Sequence, residues 1–226
     1  MSPGRAAVSG SAASAQPLRL VLASNNAGKL VELRSLFAGL PLHLVPQPSL
    51  QLAEAEEPYA SFIENALAKA RHAARASGAG ALADDSGLCV RALDGAPGVV
   101  SAHFAAVELP AADRETQRRV QDAANNRLLL QRLEGIDDRR ASFVCTLVAV
   151  RSAHDPQPLI STGRWHGELL HSPRGSAGFG YDPLLFIASA GCTVAELAPA
   201  QKNEHSHRAQ ACAQMRLLLQ AHWLER

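Results

Sequence analysis

Two adjacent carboxylates are the residues of this sequence best suited to chemistry. Asp84 and Asp85 follow a short apolar run at 81–83, and Ser86 and Gly87 come directly after them. Adjacent carboxylates at the end of a buried strand are destabilising unless a cation or hydrogen-bond donors compensate them. Mg²⁺ binds through one or two carboxylates together with phosphate oxygens of a substrate. The segment therefore indicates a magnesium site, with an ordinary Asp-rich turn as the alternative.

The segment from Ala23 to Lys29 is typical of an anion-binding turn. It joins a predicted strand to a predicted helix, where free N–H groups and the helix dipole attract phosphate. It is not a Walker A loop, because that motif needs Gly at position 23 and Ser or Thr at position 30. The sequence has Ala23 and Leu30 there, and it contains no GxGxxG fingerprint. An ordinary helix cap would explain the same turn.

Aromatic residues between glycines indicate a contact with a purine base. In the segment Gly178–Pro183, Phe179 and Tyr181 alternate with glycines, in a chain that has only 6 Phe and 2 Tyr. Glycines let the backbone approach a ligand closely, and an exposed aromatic ring can stack on a base. The alternative is a glycine turn with two aromatic residues in the core.

The segment Lys202–Arg208 is rich in hydrogen-bond donors and leads into the last predicted helix. His205 and His207 lack a third ligand at the spacing that zinc requires. Ser206 and His207 are unsuited to a hydrolase dyad, because neighbouring residues on a helix do not face each other. The segment therefore indicates either donors to a ligand or solvated capping residues.

Strands and helices alternate along the chain and must position these segments. Strand patterns cover 18–23, 81–83, 88–93, 141–150, 159–169 and 183–187, and helical patterns cover 28–37, 58–77, 113–133 and 206–224. Ser61 and Glu64 form a capping-box pair at the start of the second helix. Ser61, Asn65 and Lys69 recur every four residues, so they share one polar face. This alternation predicts an α/β fold with a mixed sheet.

Length and composition restrict the class of protein. The chain has 226 residues, with 22 Lys and Arg and 21 Asp and Glu, and its net charge is +1. This balance of charges argues against electrostatic binding of a nucleic acid polymer or an anionic membrane. No apolar segment approaches the ~20 residues of a membrane helix. The 4 cysteines fall at no metal or disulfide spacing, which favours a cytoplasmic location. We expect residues 1–17 to form a disordered tail before a domain at 18–226.

Six motifs occur in an order that is found in one known family. They are Ser-Asn-Asn-x-x-Lys-x-x-Glu-Leu from Ser24, Phe-Ile-Glu-Asn-Ala from Phe62 followed by Lys69, Asp-Asp-Ser-Gly-Leu from Asp84, Ala-Pro-Gly from Ala96, Gly-Phe-Gly-Tyr-Asp-Pro from Gly178, and Lys-x-x-x-Ser-His-Arg from Lys202. With these motifs the chain resembles the inosine/xanthosine triphosphate pyrophosphatase family over roughly residues 18–224. Enzymes of that family remove non-standard purine nucleotides.

The resemblance implies a two-lobed α/β fold, with a long central mixed β-sheet flanked by helices and an active-site cleft between the lobes, in a homodimer. It implies Mg²⁺-dependent hydrolysis of purine nucleoside triphosphates (ITP, dITP and XTP) to the monophosphate and pyrophosphate. Asp85 matches the proton acceptor and a metal ligand, and Glu56, preferred to Glu57, is the expected second metal ligand. The positions that match the substrate-binding residues are Ser24, Asn25, Asn26, Ala27, Gly28, Lys29, Lys69, Ser86, Phe179, Gly180, Tyr181, Asp182, Lys202, His207 and Arg208.

Two positions depart from the pattern of the family, and two other functions stay open. Asn25 replaces the usual glycine of the turn, although Asn tolerates positive φ, and His103 stands where an arginine is usual.

A nucleotide-binding regulatory module would keep the turn without turnover, but Asp85 and Glu56 are both present. Another Mg²⁺-dependent phosphohydrolase or nucleotidyl transferase is the second alternative, which product analysis would separate.

Overall fold

The computed structural model describes residues 16–224, so most of the predicted tail at 1–17 lies outside the described residues. The strands are β1 (Leu18–Ala23), β2 (Leu42–Pro46), β3 (Gly80–Val90), β4 (Arg140–Val150), β5 (Leu159–Leu169), β6 (Leu185–Ile187) and β7 (Cys192–Thr193). The helices are α1 (Ala27–Leu36), α2 (Phe62–Ser77), α3 (Arg114–Arg132), α4 (Pro199–His205) and α5 (His207–Leu219), and a π-helical turn at Gln220–Leu224 continues α5. Short 3₁₀ segments lie at Gln47–Leu50, Arg91–Leu93, Gly98–His103 and Val194–Glu196.

All seven strands form one mixed sheet in the order β2-β1-β3-β4-β5-β6-β7. β1 pairs in parallel with β2 and β3, and every pair from β3 onward is antiparallel. The three central strands have 11 residues each, about twice the usual strand length. The prediction of an α/β fold with a long central mixed sheet is confirmed.

The two faces of the sheet pack against different helices. Successive side chains of a strand point to opposite faces, so Leu20 and Leu82 pack towards α1 and α5 while the alternate residues pack on the alanines of α2. At the other end of the long strands, Leu129 of α3 and Phe143 belong to a separate cluster. Because β3, β4 and β5 extend from one region to the other, the fold has two lobes that share one sheet.

The acidic turn that the sequence predicts is in fact part of a continuous strand. β3 runs from Gly80 to Val90 and pairs with β4 from Ala81 onward, with Asp85 opposite Thr146. Asp, Ser and Gly are turn formers, which is why the sequence suggested a break. The strand tolerates the two carboxylates because lysines on α1 and α2 reach them.

Three further boundaries differ from the predicted ones. β2 lies between the predicted helices at 28–37 and 58–77, where no strand is predicted, and its mostly half-buried residues form the edge of the sheet. α2 starts at Phe62 and not at 58, because Ser61 is its N-cap and accepts the N–H of Glu64. The predicted helix at 206–224 matches α5 and the π-helical turn after it, with Ser206 as the N-cap that accepts the N–H of Ala209 at 3.1 Å, but the separate helix α4 directly before it is not predicted. Within the described residues, no helix is both long and apolar enough to span a bilayer.

Candidate active site

A cavity of about 670 Å³ lies between the two lobes, a size that suits a nucleotide-sized ligand. It is lined by the start of α1, Lys69 of α2, the middle of β3, the first half of α3, the loop around Phe179 and the start of α5. Of the residues predicted to bind substrate, the lining includes Ser24, Asn25, Asn26, Ala27, Lys29, Lys69, Ser86, Phe179, Gly180, Tyr181, Asp182, Lys202, His207 and Arg208. Gly28, Asp85 and Glu56 are outside the lining.

The turn before α1 presents a helix N-terminus to this cavity. Asn26 is the N-cap, and its side-chain oxygen accepts the N–H of Lys29 at 3.1 Å. The Asn26 N–H in turn faces the hydroxyl of Ser24 at 3.3 Å. Asn25, which replaces the usual glycine, does not have a positive φ in this turn. Its side-chain amide donates a hydrogen bond to Glu54. Gly28 packs against the Phe179 ring, which would lie 3.1 Å from an added Cβ.

Asp84 is a buried carboxylate that holds the first lysine in the cavity wall. Its Oδ2 lies 2.9 Å from Lys29 Nζ and 4.0 Å from Arg208 Nε. Burial opposes ionisation, but Lys29, Arg208 and Lys69 outweigh it and hold the pKa of the Asp84 carboxyl well below its usual range. Asp84 is therefore charged at any working pH.

Asp85 points to the other face of β3, and its pKa is shifted in the opposite direction from that of Asp84. Its Oδ1 accepts from Lys69 Nζ at 3.1 Å, and the same ammonium donates to Glu57 at 2.8 Å. Burial raises the pKa of the Asp85 carboxyl to about 6, and Lys69 and Lys29 only partly oppose that shift. Asp85 reaches the cavity through Lys69, which lines it. A carboxylate with a pKa near neutrality is suited to accept a proton.

The donor set fits a magnesium ion that shares its coordination with a substrate. Asp84 Oδ1 and Asp85 Oδ2 are buried and lack hydrogen-bond partners among the described residues. No group of three or more His, Cys, Asp or Glu side chains within residues 16–224 could hold a metal alone. Mg²⁺ commonly uses one or two carboxylates and takes the remaining oxygens from phosphate and water.

The loop before α2, which carries Glu54, Glu56 and Glu57, contributes Glu57 to the cavity and not Glu56. Glu57 lines the cavity and contacts Lys69, whereas Glu56 is exposed outside the lining. The geometry therefore favours Glu57 as the second carboxylate, contrary to the choice made from the sequence. The loop has no regular period, so the sequence could not show which of the two neighbouring acids faces inward.

Phe179 provides the aromatic wall, and a buried ion pair holds its loop. Asp182 Oδ2 accepts both the Phe179 N–H at 3.0 Å and Lys202 Nζ at 2.9 Å. Gly178 has φ +78°, and a side chain there would collide with the Asp182 carboxylate. Tyr181 is buried in the core and donates its hydroxyl to the Ser101 carbonyl at 2.9 Å. Phe179 is therefore the aromatic ring available for stacking, while Tyr181 supports the wall.

Lys202, His207 and Arg208 converge on the same side of the cavity. Glu32 of α1 pairs with Lys202 at 3.1 Å and with Arg208, which also donates to Ser86 at 3.3 Å. His207 stacks on Phe143 with ring centroids 5.0 Å apart. Burial and the adjacent cations hold the pKa of His207 well below its usual value, so the imidazole is neutral. Its Nδ1 has no partner among the described residues.

Gly163 of β5 allows α5 to approach the sheet and carry these donors into the cavity. An added Cβ at Gly163 would lie 2.7 Å from the Ala211 nitrogen and closer still to the carbonyl oxygen of His207. Both of those atoms belong to the backbone of α5, so they cannot move independently. The start of α5 can occupy this position only because residue 163 has no side chain.

Sequence reasoning missed the contribution of α3. Asp122 Oδ2 accepts the N–H of Gly180 at 2.8 Å, and Asn126 donates to the carbonyl of the same residue at 3.0 Å. Arg118 stacks over Phe179 with its guanidinium carbon 4.3 Å from the ring centroid. These residues lie on one face of a long amphipathic helix without a local motif. The available signal was the spacing of Arg118 and Asp122 by four residues, which a solvated face also shows.

Comparison with known proteins gives one consistent family. The Ham1 family model matches residues 20–218. A dITP/XTP pyrophosphatase of Methylibium petroleiphilum is 67% identical over 207 residues, which are 92% of this chain and 100% of that protein. A protein of the same name from Leptothrix cholodnii is 61% identical over 91% of this chain and 99% of its own length. The structure of a HAM1 protein from Coxiella burnetii is 43% identical, with a TM-score of 0.79 over 90% of this chain and 99% of that one.

Proposed function

The chain belongs to the Ham1 family, and on that premise we propose that it is a pyrophosphatase of dITP, ITP and XTP. It hydrolyses these triphosphates in the presence of Mg²⁺ to the nucleoside monophosphate and pyrophosphate, and so removes them from the nucleotide pool. The observation that carries the proposal is the convergence in one cavity of a helix N-terminus, the Asp84 carboxylate with its unpartnered oxygen, the lysine that contacts Asp85, and the three donors of α4 and α5. Its relatives that are 67% and 61% identical are named dITP/XTP pyrophosphatases.

Asp85 is the proton acceptor in this proposal. Its Oδ1 is occupied by Lys69, so the unpartnered Oδ2 takes the proton from the attacking water. The water oxygen forms the new bond to the α-phosphorus, and the bond from that phosphorus to the bridging oxygen breaks. The pyrophosphate leaves with its negative charge beside Lys29, Lys69 and the N-terminus of α1.

Asp85 and Glu57, which Lys69 joins, would hold the magnesium ion together with phosphate oxygens. When bound, such an ion polarises the phosphate and lowers the pKa of a coordinated water. The protein itself supplies the fixed positions: Asp84 is anchored by Lys29, and Lys69 joins Asp85 to Glu57. Titration of the rate with Mg²⁺, Ca²⁺ and EDTA tests the requirement for Mg²⁺.

Selection of the base follows from the donors at the start of α5. Inosine and xanthosine carry a keto oxygen at C6, which accepts hydrogen bonds, whereas adenine carries an amino donor there. Against adenine, Lys202, His207 and Arg208 would lose the acceptor that the C6 oxygen offers, at about 1–3 kcal/mol for each lost contact, or about 5- to 150-fold per contact. Guanine also has the keto group, so it must be rejected at C2. The backbone around Gly180 suits that role, because Asp122 and Asn126 hold it in place.

A panel of nucleotides tests the proposal. Wild-type protein is incubated with dITP, ITP, XTP, GTP and ATP in Mg²⁺, and monophosphate, pyrophosphate and orthophosphate are quantified separately. We expect pyrophosphate in a one-to-one ratio with monophosphate, and higher kcat/KM for dITP, ITP and XTP than for GTP and ATP. Asp85→Asn protein purified in parallel controls for a contaminating phosphatase.

Three results would contradict the proposal. Release of orthophosphate with a diphosphate product would support the other class of phosphohydrolase. Tight nucleotide binding without turnover would support a regulatory module. Equal kcat/KM for ITP and ATP would reject the role in removing non-standard purines.

The assembly and location of the protein complete the proposal. Family likeness supports a homodimer, which sedimentation at working concentration tests. All four cysteines are free thiols, which supports a reducing compartment such as the cytoplasm.

A further inference from the structure

Most cations of the cavity wall are already paired with carboxylates. Among the described residues, six lysine and arginine side chains line the cavity, and five of them have an ion-pair partner within 3.2 Å. The pairs are Lys29 with Asp84 at 2.9 Å, Lys69 with Glu57 at 2.8 Å, Arg114 with Glu54 at 3.2 Å, Lys202 with Asp182 at 2.9 Å, and Arg208 with Glu32. A paired cation divides its attraction between the carboxylate and an incoming phosphate, so these five contribute less net attraction than their number suggests.

Arg118 is the sixth cation, and a carboxylate neutralises its charge much less than in the five pairs. Its nearest carboxylate is Asp122 at 3.9 Å, and the Oδ2 of that residue already accepts the N–H of Gly180. The hydrogen bond that Arg118 makes at 2.6 Å goes to the side-chain oxygen of Asn26, which is a neutral acceptor. The side chain is 26% exposed and so can reach a ligand in the cavity.

The surroundings of Arg118 place it at the phosphate end of the cavity. Asn26 is the N-cap of α1, so the guanidinium lies beside the helix N-terminus that attracts anions. Its flat face rests on Phe179, which leaves N–H groups at the edge of the guanidinium free for phosphate oxygens. A planar fork of this kind binds phosphate through two hydrogen bonds at once.

We propose that Arg118 is a further substrate-binding residue, which contacts the β- and γ-phosphates of the nucleotide and the pyrophosphate formed from them. This inference rests on the proposed function, because it assigns a role within the same cavity. It adds α3 to the phosphate site, which otherwise consists of the start of α1 and Lys69 of α2. The alternative is that Arg118 only ties α3 to α1 and to the Phe179 loop, as a positioning residue.

Binding of two product fragments separates these roles without any turnover. Arg118→Met keeps a long apolar side chain against Phe179 and removes the charge. Titration calorimetry is carried out with sodium pyrophosphate in Mg²⁺ and, separately, with dIMP. We expect the Kd for pyrophosphate to rise by on the order of 10- to 100-fold, as for a lost charge-assisted hydrogen bond. The Kd for dIMP should stay within about 2-fold, since dIMP lacks the phosphates that Arg118 contacts.

Steady-state kinetics and a matched variant complete the design. Arg118→Met should raise the KM for dITP and leave the ratio of kcat/KM for dITP and dATP unchanged, because the contact does not involve the base. Arg118→Lys should recover part of the pyrophosphate affinity. The control is Arg119→Met on the same helix, whose side chain is 79% exposed and pairs with Glu115 at 3.3 Å, and it should change none of these quantities.

The results that overturn the inference are distinct from those that overturn the proposed function. Unchanged pyrophosphate affinity in folded Arg118→Met protein, or equal weakening of pyrophosphate and dIMP, would refute a direct phosphate contact. A drop in melting temperature for Arg118→Met that Arg118→Lys repairs without restoring pyrophosphate affinity would do the same. Wild-type protein that fails to release pyrophosphate from dITP would refute the proposed function, while the binding result for Arg118 would still stand.

Discussion

Replacement of Asp85 by Asn should remove activity and at the same time stabilise the fold. The substitution preserves the shape of the side chain and removes the charge and the ability to accept a proton. Loss of a general base lowers kcat by on the order of 10²–10⁴-fold. The effect on stability has the opposite sign, because the charged form of Asp85 is unfavourable in its buried position.

The magnitude of the stabilisation follows from the pKa of the carboxyl. Burial raises the pKa of Asp85 from 3.8 to about 6, which makes ionisation less favourable in the folded state by on the order of 3 kcal/mol. The side chain is 6% exposed, so solvent screens this effect little. A folded pKa above the unfolded pKa contributes stability below 3.8 that is lost as the pH rises through about 6. Asp85→Asn should not suffer this loss.

Thermal unfolding across pH measures the difference directly. In EDTA, so that no metal offsets the carboxylate charge, Asp85→Asn and wild type should melt at similar temperatures near about pH 4 and diverge by about pH 7.5. In a domain of this size roughly 2–4 °C corresponds to each kcal/mol, so the variant should melt several degrees higher. Asp113→Asn is the matched control, because Asp113 is an exposed N-cap on α3 and Asn also caps well.

Two results would refute this reasoning independently. Full kcat for Asp85→Asn at saturating Mg²⁺ would exclude Asp85 as the proton acceptor. A variant that melts below wild type at neutral pH, or that keeps the same pH dependence of Tm, would show that burial does not oppose the charge of Asp85.

Three further substitutions test other parts of the site. Glu57→Gln should raise the Mg²⁺ concentration that gives the half-maximal rate by roughly 10-fold, whereas Glu56→Gln should leave that concentration unchanged. The reverse result would indicate Glu56 as the metal ligand. Gly163→Ala should destabilise the fold by about 1–3 kcal/mol and lower kcat/KM, because it displaces the start of α5; an unchanged Tm would contradict this packing. Arg208→Lys should lower the dITP-to-dATP ratio of kcat/KM by about 5- to 150-fold, as for the loss of one paired donor; an unchanged ratio would remove Arg208 from base recognition.

The sequence predicted those parts of the fold in which a local pattern decides the structure. The predicted strands at 141–150 and 159–169 agree with β4 (Arg140–Val150) and β5 (Leu159–Leu169) to within one residue. They are recognisable because two long runs of β-forming residues flank a turn. β3 was divided wrongly, since turn-forming residue types outweighed the pairing of the whole strand with β4. The sheet order depends on contacts between distant segments, which no local pattern contains.

The candidate site shows the same division between local and distant information. The turn at Asn26 and the loop at Phe179 follow from residue types within a few positions of each other. The partner of Lys29 and the partner of Lys69 depend on how α1 and α2 pack on opposite faces of β3. Arg118 was not predicted, because its significance arises from its contact with Phe179 across the cavity.

The paired cations explain how this cavity can attract a triphosphate and remain stable in the absence of nucleotide. An unpaired buried charge is destabilising by several kcal/mol, whereas the pairs Lys29–Asp84 and Lys202–Asp182 compensate each other at 2.9 Å. The same pairs fix the lysines in place, so that less side-chain entropy, about 0.5–1.5 kcal/mol for each, is lost on binding. Because each carboxylate competes with phosphate for its lysine, pyrophosphate is held less tightly than by free lysines, which favours product release. Among the lining residues described, the cation with the most distant carboxylate is Arg118, 3.9 Å from Asp122, so the proposed contact of Arg118 with phosphate would add attraction that the paired lysines lack.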